Sequence, residues 1–222
     1  NNFIFKMGEI DFDNQYFYIS EGFPEREFEE LDSNYTKVKV NILISQFISL
    51  LSYFNTFRWK TTTKYDVYVI GYSEEIISLI SDFHPDLVFY IYNEKYRTDI
   101  EREEQSEINP DLPIVLKEKI FIYRKTLSKD EAFSRKKDST NPVVFISLFN
   151  LAGNNEINLD TKERVANYDI IQNLDPDSAM VRFRVSENFK FYKGVIMNVP
   201  FIDSNSKESR LLISGDKTII DY

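Results

Sequence analysis

The sequence predicts an α/β fold: a three-layer sandwich around a mostly parallel sheet, with antiparallel strands at one edge. Three observations carry this. Through the first two thirds of the chain, helix-spaced apolar stretches alternate with short β-branched and aromatic runs. Near the carboxyl end the strand-like runs cluster instead. The length, 222 residues, suits one substantial domain with a complete core, and two would be cramped.

The elements follow in order. Residues 1–35 are acidic and aromatic, and EGFPEREFEELD, from Glu21 to Asp32, sets six carboxylates against one arginine. This stretch reads as an arm with a short helix, and 36–222 as a single domain. From Lys37 to Phe54, the residues Ile44, Phe47, Ile48, Leu51 and Phe54 recur at spacings of three and four, which predicts an amphipathic helix packed on a core. KYDVYVIG is then a strand, Glu74 to Phe83 a helix, and DLVFYIY a second strand. The polar run from Glu94 to Asn109 interrupts the alternation as a solvated helix or loop. EKIFIYR and NPVVFISLF are strands flanking a charged helical stretch. Leu159 to Leu174 is a helix with Asp160 as N-cap and Glu163 completing a capping box. SAMVRFRV, VIMNVPF and SRLLIS read as strands of the same sheet, and KTIIDY as a terminal piece.

Composition excludes several chemistries. Net charge is −9 at pH 7, which disfavours broad non-specific nucleic-acid binding and suits a basic protein partner. There is no cysteine, so disulfides, thiolate metal sites and cysteine nucleophiles are excluded, in keeping with a reducing compartment such as the cytoplasm. The single histidine, His84, sits in DFHPD as a turn residue; with no second histidine and no cysteine, no metal site is expected. No apolar run approaches the ~20 residues that span a bilayer, and no membrane association is expected. The chain opens on Asn1, as a domain of a longer polypeptide would. The G-x-x-x-x-G-K-S/T and G-x-S-x-G motifs are missing.

The turn after the first strand matters most. In doubly wound sheets this turn is usually the cofactor loop, and it needs small residues so that backbone can approach the ligand. Here it reads Gly71, Tyr72, Ser73, Glu74, Glu75. One glycine remains, but Tyr72, Glu74 and Glu75 would crowd or repel a carboxylate or phosphate. The second strand ends in Tyr92 and Asn93 where an acid would grip a ribose, with Glu94 one residue too late.

Several stretches in this order resemble a known family. They are FKMGEIDFDNQYFY, ILISQFISLLSYF, DVYVIGYSEE, VVFISLF, NYDIIQNLDPDSAMVRFRV and VPFIDSNSKESRLLIS. The chain resembles, over nearly its whole length, the poxvirus cap-specific mRNA 2'-O-methyltransferases that double as the stimulatory subunit of the viral poly(A) polymerase. The resemblance implies a Rossmann-like methyltransferase fold. It also implies a Lys-Asp-Lys-Glu tetrad in which one lysine deprotonates the ribose 2'-hydroxyl. Carried across, the tetrad falls on Asn41, Leu148, Arg182 and Glu208, with Lys37 one turn before Asn41. Arginine does not lose its proton near neutral pH, and leucine cannot orient a cation. The bland reading of Arg182 and Glu208 is a salt bridge between adjacent strands. In the cap pocket, Tyr16 would take the stacking position, while its partner falls near Glu187, with Phe189 two residues away.

The expected function is therefore a scaffold or activator without S-adenosylmethionine, in a viral mRNA-processing complex supporting polyadenylation or capping. Its partner would be a nucleotidyltransferase such as poly(A) polymerase, or a capping subunit, in host cytoplasm or virion. One alternative is an active 2'-O-methyltransferase using S-adenosylmethionine through Lys37, Arg182 and Glu208. Another is a protein-interaction module unrelated to RNA. Candidate RNA contacts are Arg135, Lys136 and Lys137, and separately Arg182, Arg184, Lys190 and Lys193 with Phe183, Phe189, Phe191 and Tyr192.

Overall fold

The computed structural model describes residues 35–56, 63–94, 96, 109, 111–148, 157–183, 190–198, 209–215 and 217–222. All belong to one unit, Tyr35–Tyr222. Residues 1–34 of the predicted arm, and most of the polar run after Glu94, lie outside the described residues.

Three strands and two helices build the first half: α1 (Tyr35–Thr56), β1 (Tyr65–Ile70), α2 (Glu74–Phe83), β2 (Leu87–Tyr92) and the edge strand β3 (Ile114–Leu116). Then come β4 (Ile120–Tyr123), α3 (Lys129–Asp138), β5 (Val143–Ser147) and α4 (Ile157–Leu174). Strands close the chain: β6 (Ser178–Phe183), β7 (Lys190–Tyr192), β8 (Val195–Asn198), β9 (Ser209–Ile213) and β10 (Ile219–Asp221).

Eight strands form one sheet in the order β3-β4-β2-β1-β5-β6-β9-β8. The pairs β4–β2, β2–β1, β1–β5 and β5–β6 are parallel. Counted along the chain, these five strands run 3-2-1-4-5, the order of a Rossmann-like sheet, and the order reverses between β1 and β5. Antiparallel pairing occurs at both edges, not one: β3 folds back on β4, and β9 runs against β6 and β8. β7 and β10 leave the main sheet and pair with each other. The sequence reading missed β3 and β7, which are three residues each and too short to show a period.

Side chains alternate across the sheet and feed two cores. Val67, Val69, Phe89, Ile91, Ile120, Ile122, Val144 and Ile146 share one cluster with Leu50, Tyr53 and Phe54 of α1 and Ile76, Ile77 and Ile80 of α2. Tyr68, Ile70, Phe145, Ala179 and Val181 share the other with Ala132 of α3 and Ile170, Ile171 and Leu174 of α4. β1 and β5 are buried along nearly their whole length, which is why they read as unbroken apolar runs. Asp66 is the buried exception. It accepts from the Ser139 hydroxyl at 2.6 Å and the Asn141 amide at 3.1 Å, tying the α3–β5 turn to the start of β1.

α1 buries only part of the predicted stripe: Phe54 is in the core and Phe47 and Leu51 pack partly against it. The buried positions are Ser45, Gln46, Ser49, Leu50, Tyr53 and Phe54, whereas Ile44 is exposed and Phe47, Ile48 and Leu51 are half-buried. The buried polar groups are mostly satisfied. Ser49 donates to the Gln46 carbonyl at 2.9 Å, and the Tyr53 and Ser178 hydroxyls share a hydrogen bond. α4 also starts earlier than expected, so Asp160 lies inside the helix and not at its cap. Glu163 has no capping-box position there; it turns instead to β6. α3, by contrast, has a side-chain cap. Ser128 accepts from the Glu131 N–H, with Asp130 and Glu131 in the first turn and Arg135, Lys136 and Lys137 in the last.

Candidate functional site: the reversal between β1 and β5

Ligands in open α/β sheets bind beyond the carboxyl ends of the strands, where the strand order reverses. Here that point lies past Ile70 of β1 and Ser147 of β5, where the Leu148 N–H donates to the Ile70 carbonyl at 2.8 Å. Gly71 turns the chain with φ of 80°, a left-handed conformation that a side chain would strain.

The turn's groups bind one another. The Ser73 N–H, which opens α2 and would face an incoming anion, donates to Gln46 Oε1 of α1 at 3.2 Å. The Ser73 hydroxyl donates to the Glu75 carboxylate and caps no backbone group. The Glu74 carboxylate accepts from the Asn93 amide just past β2. Asn93 is held in turn by its N–H on the Tyr123 carbonyl at 2.9 Å. Glu94 does not move into the acid's place, because it accepts from the Thr126 hydroxyl.

Tyr72 corrects the sequence reading. It does not stand over the turn to crowd a ligand; only 3% exposed, it enters the core cluster shared by α1 and α2. Its phenol oxygen is buried with no hydrogen-bond partner among the described residues.

The tetrad positions are only partly described. Asn41 lies in α1, its side chain outside the described ones, and Glu208 lies outside the described residues altogether. Leu148 is buried in the α1–α2 core cluster. Arg182 Nη1 meets Glu163 Oε1 of α4 at 3.3 Å, with both side chains largely buried. Across the β6–β9 ladder Arg182 faces Arg210, whose buried guanidinium donates to the Ser209 carbonyl at 3.2 Å. Among the described residues Arg182 is paired with Glu163 of α4, while Glu208 lies outside them.

The candidate RNA contacts separate. Tyr16, Arg184, Glu187 and Phe189 lie outside the described residues. Phe183, Phe191 and Tyr192 are buried, their rings packed on Tyr168 and Tyr222, so they offer no face to a base. Lys190 and Lys193 are exposed, Lys190 with Asp221 at 4.0 Å. On α3, Arg135 pairs with Glu131 at 2.7 Å and lies 4.6 Å over the Tyr123 ring. Lys136 pairs with Asp175, and Lys137 lies 4.3 Å over the Phe133 ring.

Glu131 gathers the charges at this end of the sheet, accepting from Lys125, Arg135 and the Tyr92 phenol. Burial pushes its carboxyl up, but the Lys125 and Arg135 cations outweigh that and hold it below the usual carboxylate range. Sequence reasoning missed Gln46, Asn93 and Glu163 as partners.

Among the described residues no group of three acidic or histidine side chains is placed to hold a metal ion, and no helix is long and apolar enough to cross a membrane. No protein-family model matches the chain, and no curated protein matches it.

Proposed function

We propose that the chain is a methyltransferase-like domain that no longer transfers methyl groups and acts as a scaffold or activator in a viral mRNA-processing complex, supporting polyadenylation or capping. Two core clusters on alternate sides of a 3-2-1-4-5 parallel sheet suit a three-layer sandwich of this class.

One observation carries the functional reading: the strand reversal is filled by the protein's own hydrogen bonds. An S-adenosylmethionine carboxylate would want the amide donors at the start of α2, and the Ser73 N–H is already on Gln46. A ribose diol would want a carboxylate after β2, and that position is Asn93, whose amide donates to Glu74. The residues present do not fit the cofactor. Nor does Arg182 suit a base, since a guanidinium paired to a buried carboxylate keeps its proton.

Calorimetry with S-adenosylmethionine tests this, and no heat of binding is expected at micromolar concentrations. Micromolar binding would restore the methyltransferase reading. Co-purification from producing cells tests the complex, with a nucleotidyltransferase or capping enzyme as the expected companion.

A further inference from the structure

Where α1 meets the Gly71 turn, two buried hydroxyls have no partner in the protein. Ser45 of α1 is 2% exposed and Tyr72 of the turn 3%. Neither Ser45 Oγ nor the Tyr72 phenol oxygen has a hydrogen-bond partner among the described residues. Native proteins pair the great majority of such groups, because an unpaired one gives up its hydration without return.

The surroundings are polar, and they bring the two residues into one region. The Ser73 N–H, next along the chain from Tyr72, donates at 3.2 Å to Gln46 Oε1, next along from Ser45. Ser45, Ser49 and Tyr53 stand at i, i+4 and i+8, so one buried stripe of α1 carries three hydroxyls into the core. Tyr72 lies in the same core cluster as Tyr53. Burial pushes the Tyr53 phenol above its usual range, and the nearby Tyr72 phenol adds to the push. The other donors on this stripe are already engaged. Ser49 donates to the Gln46 carbonyl at 2.9 Å, and Tyr53 shares its hydrogen bond with Ser178. An internal water commonly makes about three bonds to groups of this kind. Two unpaired hydroxyls, with acceptor lone pairs on the Ser49 and Tyr53 oxygens beside them, supply that number.

We propose that Ser45 and Tyr72 hold one internal water molecule between them, a hydration site that pins the Gly71 turn to α1. The water adds to the Gln46–Ser73 bond in fastening the turn. The site needs neither a cofactor nor a partner, and is independent of the scaffold reading.

The test is a double-mutant cycle on the full chain with Tyr72→Phe and Ser45→Ala, read as thermal midpoints. Each change removes one oxygen and keeps the rest of the side chain, so neither opens a large cavity. Each alone is expected to lower Tm by about 2–4 °C, because a bond to the water is lost. The double variant is expected to melt near the lower of the two singles, since one water serves both groups. A high-resolution crystal structure is expected to place a water within about 3.2 Å of both oxygens. A rise in Tm for Tyr72→Phe would overturn the proposal, because that is the result for a phenol buried without a partner. So would additive losses, which mean separate partners, or a crystal structure in which either hydroxyl bonds to another protein group instead.

Discussion

Arg182 Nη1 lies 3.3 Å from Glu163 Oε1, fastening the carboxyl end of β6 to the first half of α4. Both groups are largely withdrawn from water, so the pair's value lies in not being broken. Removing one partner of such a pair costs about 3 kcal/mol, whereas replacing both by apolar groups is often neutral. Arg182→Ala is expected to lower the unfolding free energy in urea by about that amount. The double change Arg182→Met with Glu163→Leu is expected to cost much less. An unshifted midpoint for Arg182→Ala would show the pair contributes nothing.

The same position tests the proposed loss of methyl transfer. Arg182→Lys supplies a side chain able to lose its proton where the resemblance places the catalytic lysine. Leu148 and Asn41 stay as they are, and the Ser73 N–H stays on Gln46. No transfer of labelled methyl from S-adenosylmethionine to capped RNA is expected. Incorporation above the wild-type background would mean the cofactor does bind.

Gly194 separates β7 from β8 under a tight constraint. A Cβ there would sit 2.4 Å from the Leu212 carbonyl oxygen, backbone that cannot swing aside. Its N–H also accepts no substitute geometry easily, since it donates to the Tyr222 phenol at 3.0 Å. Gly194→Ala is expected to destabilise by about 2 kcal/mol through overpacking, read from chemical denaturation. A neutral result would require the β8–β9 pairing to be looser than the register indicates.

The β3–β4 turn holds two non-glycine residues in left-handed conformations, Lys117 at φ 51° and Glu118 at φ 58°. Lys117 earns its place by binding Asp82 and the Ser78 carbonyl of α2. Glu118 is exposed, and its side chain is expendable if the turn alone matters. Glu118→Gly is expected to stabilise by up to about 1 kcal/mol, raising Tm by about 2–4 °C in a domain of this size. Lys117→Gly, which also relieves the turn but removes the contacts, is expected to gain less. A fall in Tm for Glu118→Gly would assign that side chain a role of its own.

His84 gives a pH dependence with a definite sign. It ends α2 with its ring 5.4 Å from that of Phe54, and burial lowers its pKa from 6.5. Below pH 6.5 the unfolded chain therefore binds more protons than the native one, and stability falls as pH drops through that region. His84→Asn is expected to flatten the slope between neutral pH and the carboxylate range. As the only histidine, its proton resonances report the titration directly, and a midpoint at or above 6.5 would contradict the burial argument.

The sequence by itself determined the α/β alternation, the bounds of α2, and the position of β1, β2, β4, β5 and β6. These are local matters: a β-branched run or a 3.6-residue period states its own geometry before any partner arrives. It also spelled the Gly71 turn as Gly71, Tyr72, Ser73, Glu74 and Glu75. Only the tertiary structure decided which side chains fill that turn, because Gln46 and Asn93 come from elements remote in sequence. It likewise decided which face of α1 is buried. The apolar stripe Ile44, Phe47, Ile48, Leu51 and Phe54 was legible, but burial follows the surface a helix meets, which took Ser45, Gln46, Ser49 and Tyr53 inside beside Phe54 and left Ile44 exposed. Glu163 shows the same limit. Three residues after Asp160 it spelled a capping box, yet an earlier helix start carried it past that role and onto Arg182. Local pattern assigns an element its type; the partner surface assigns its face.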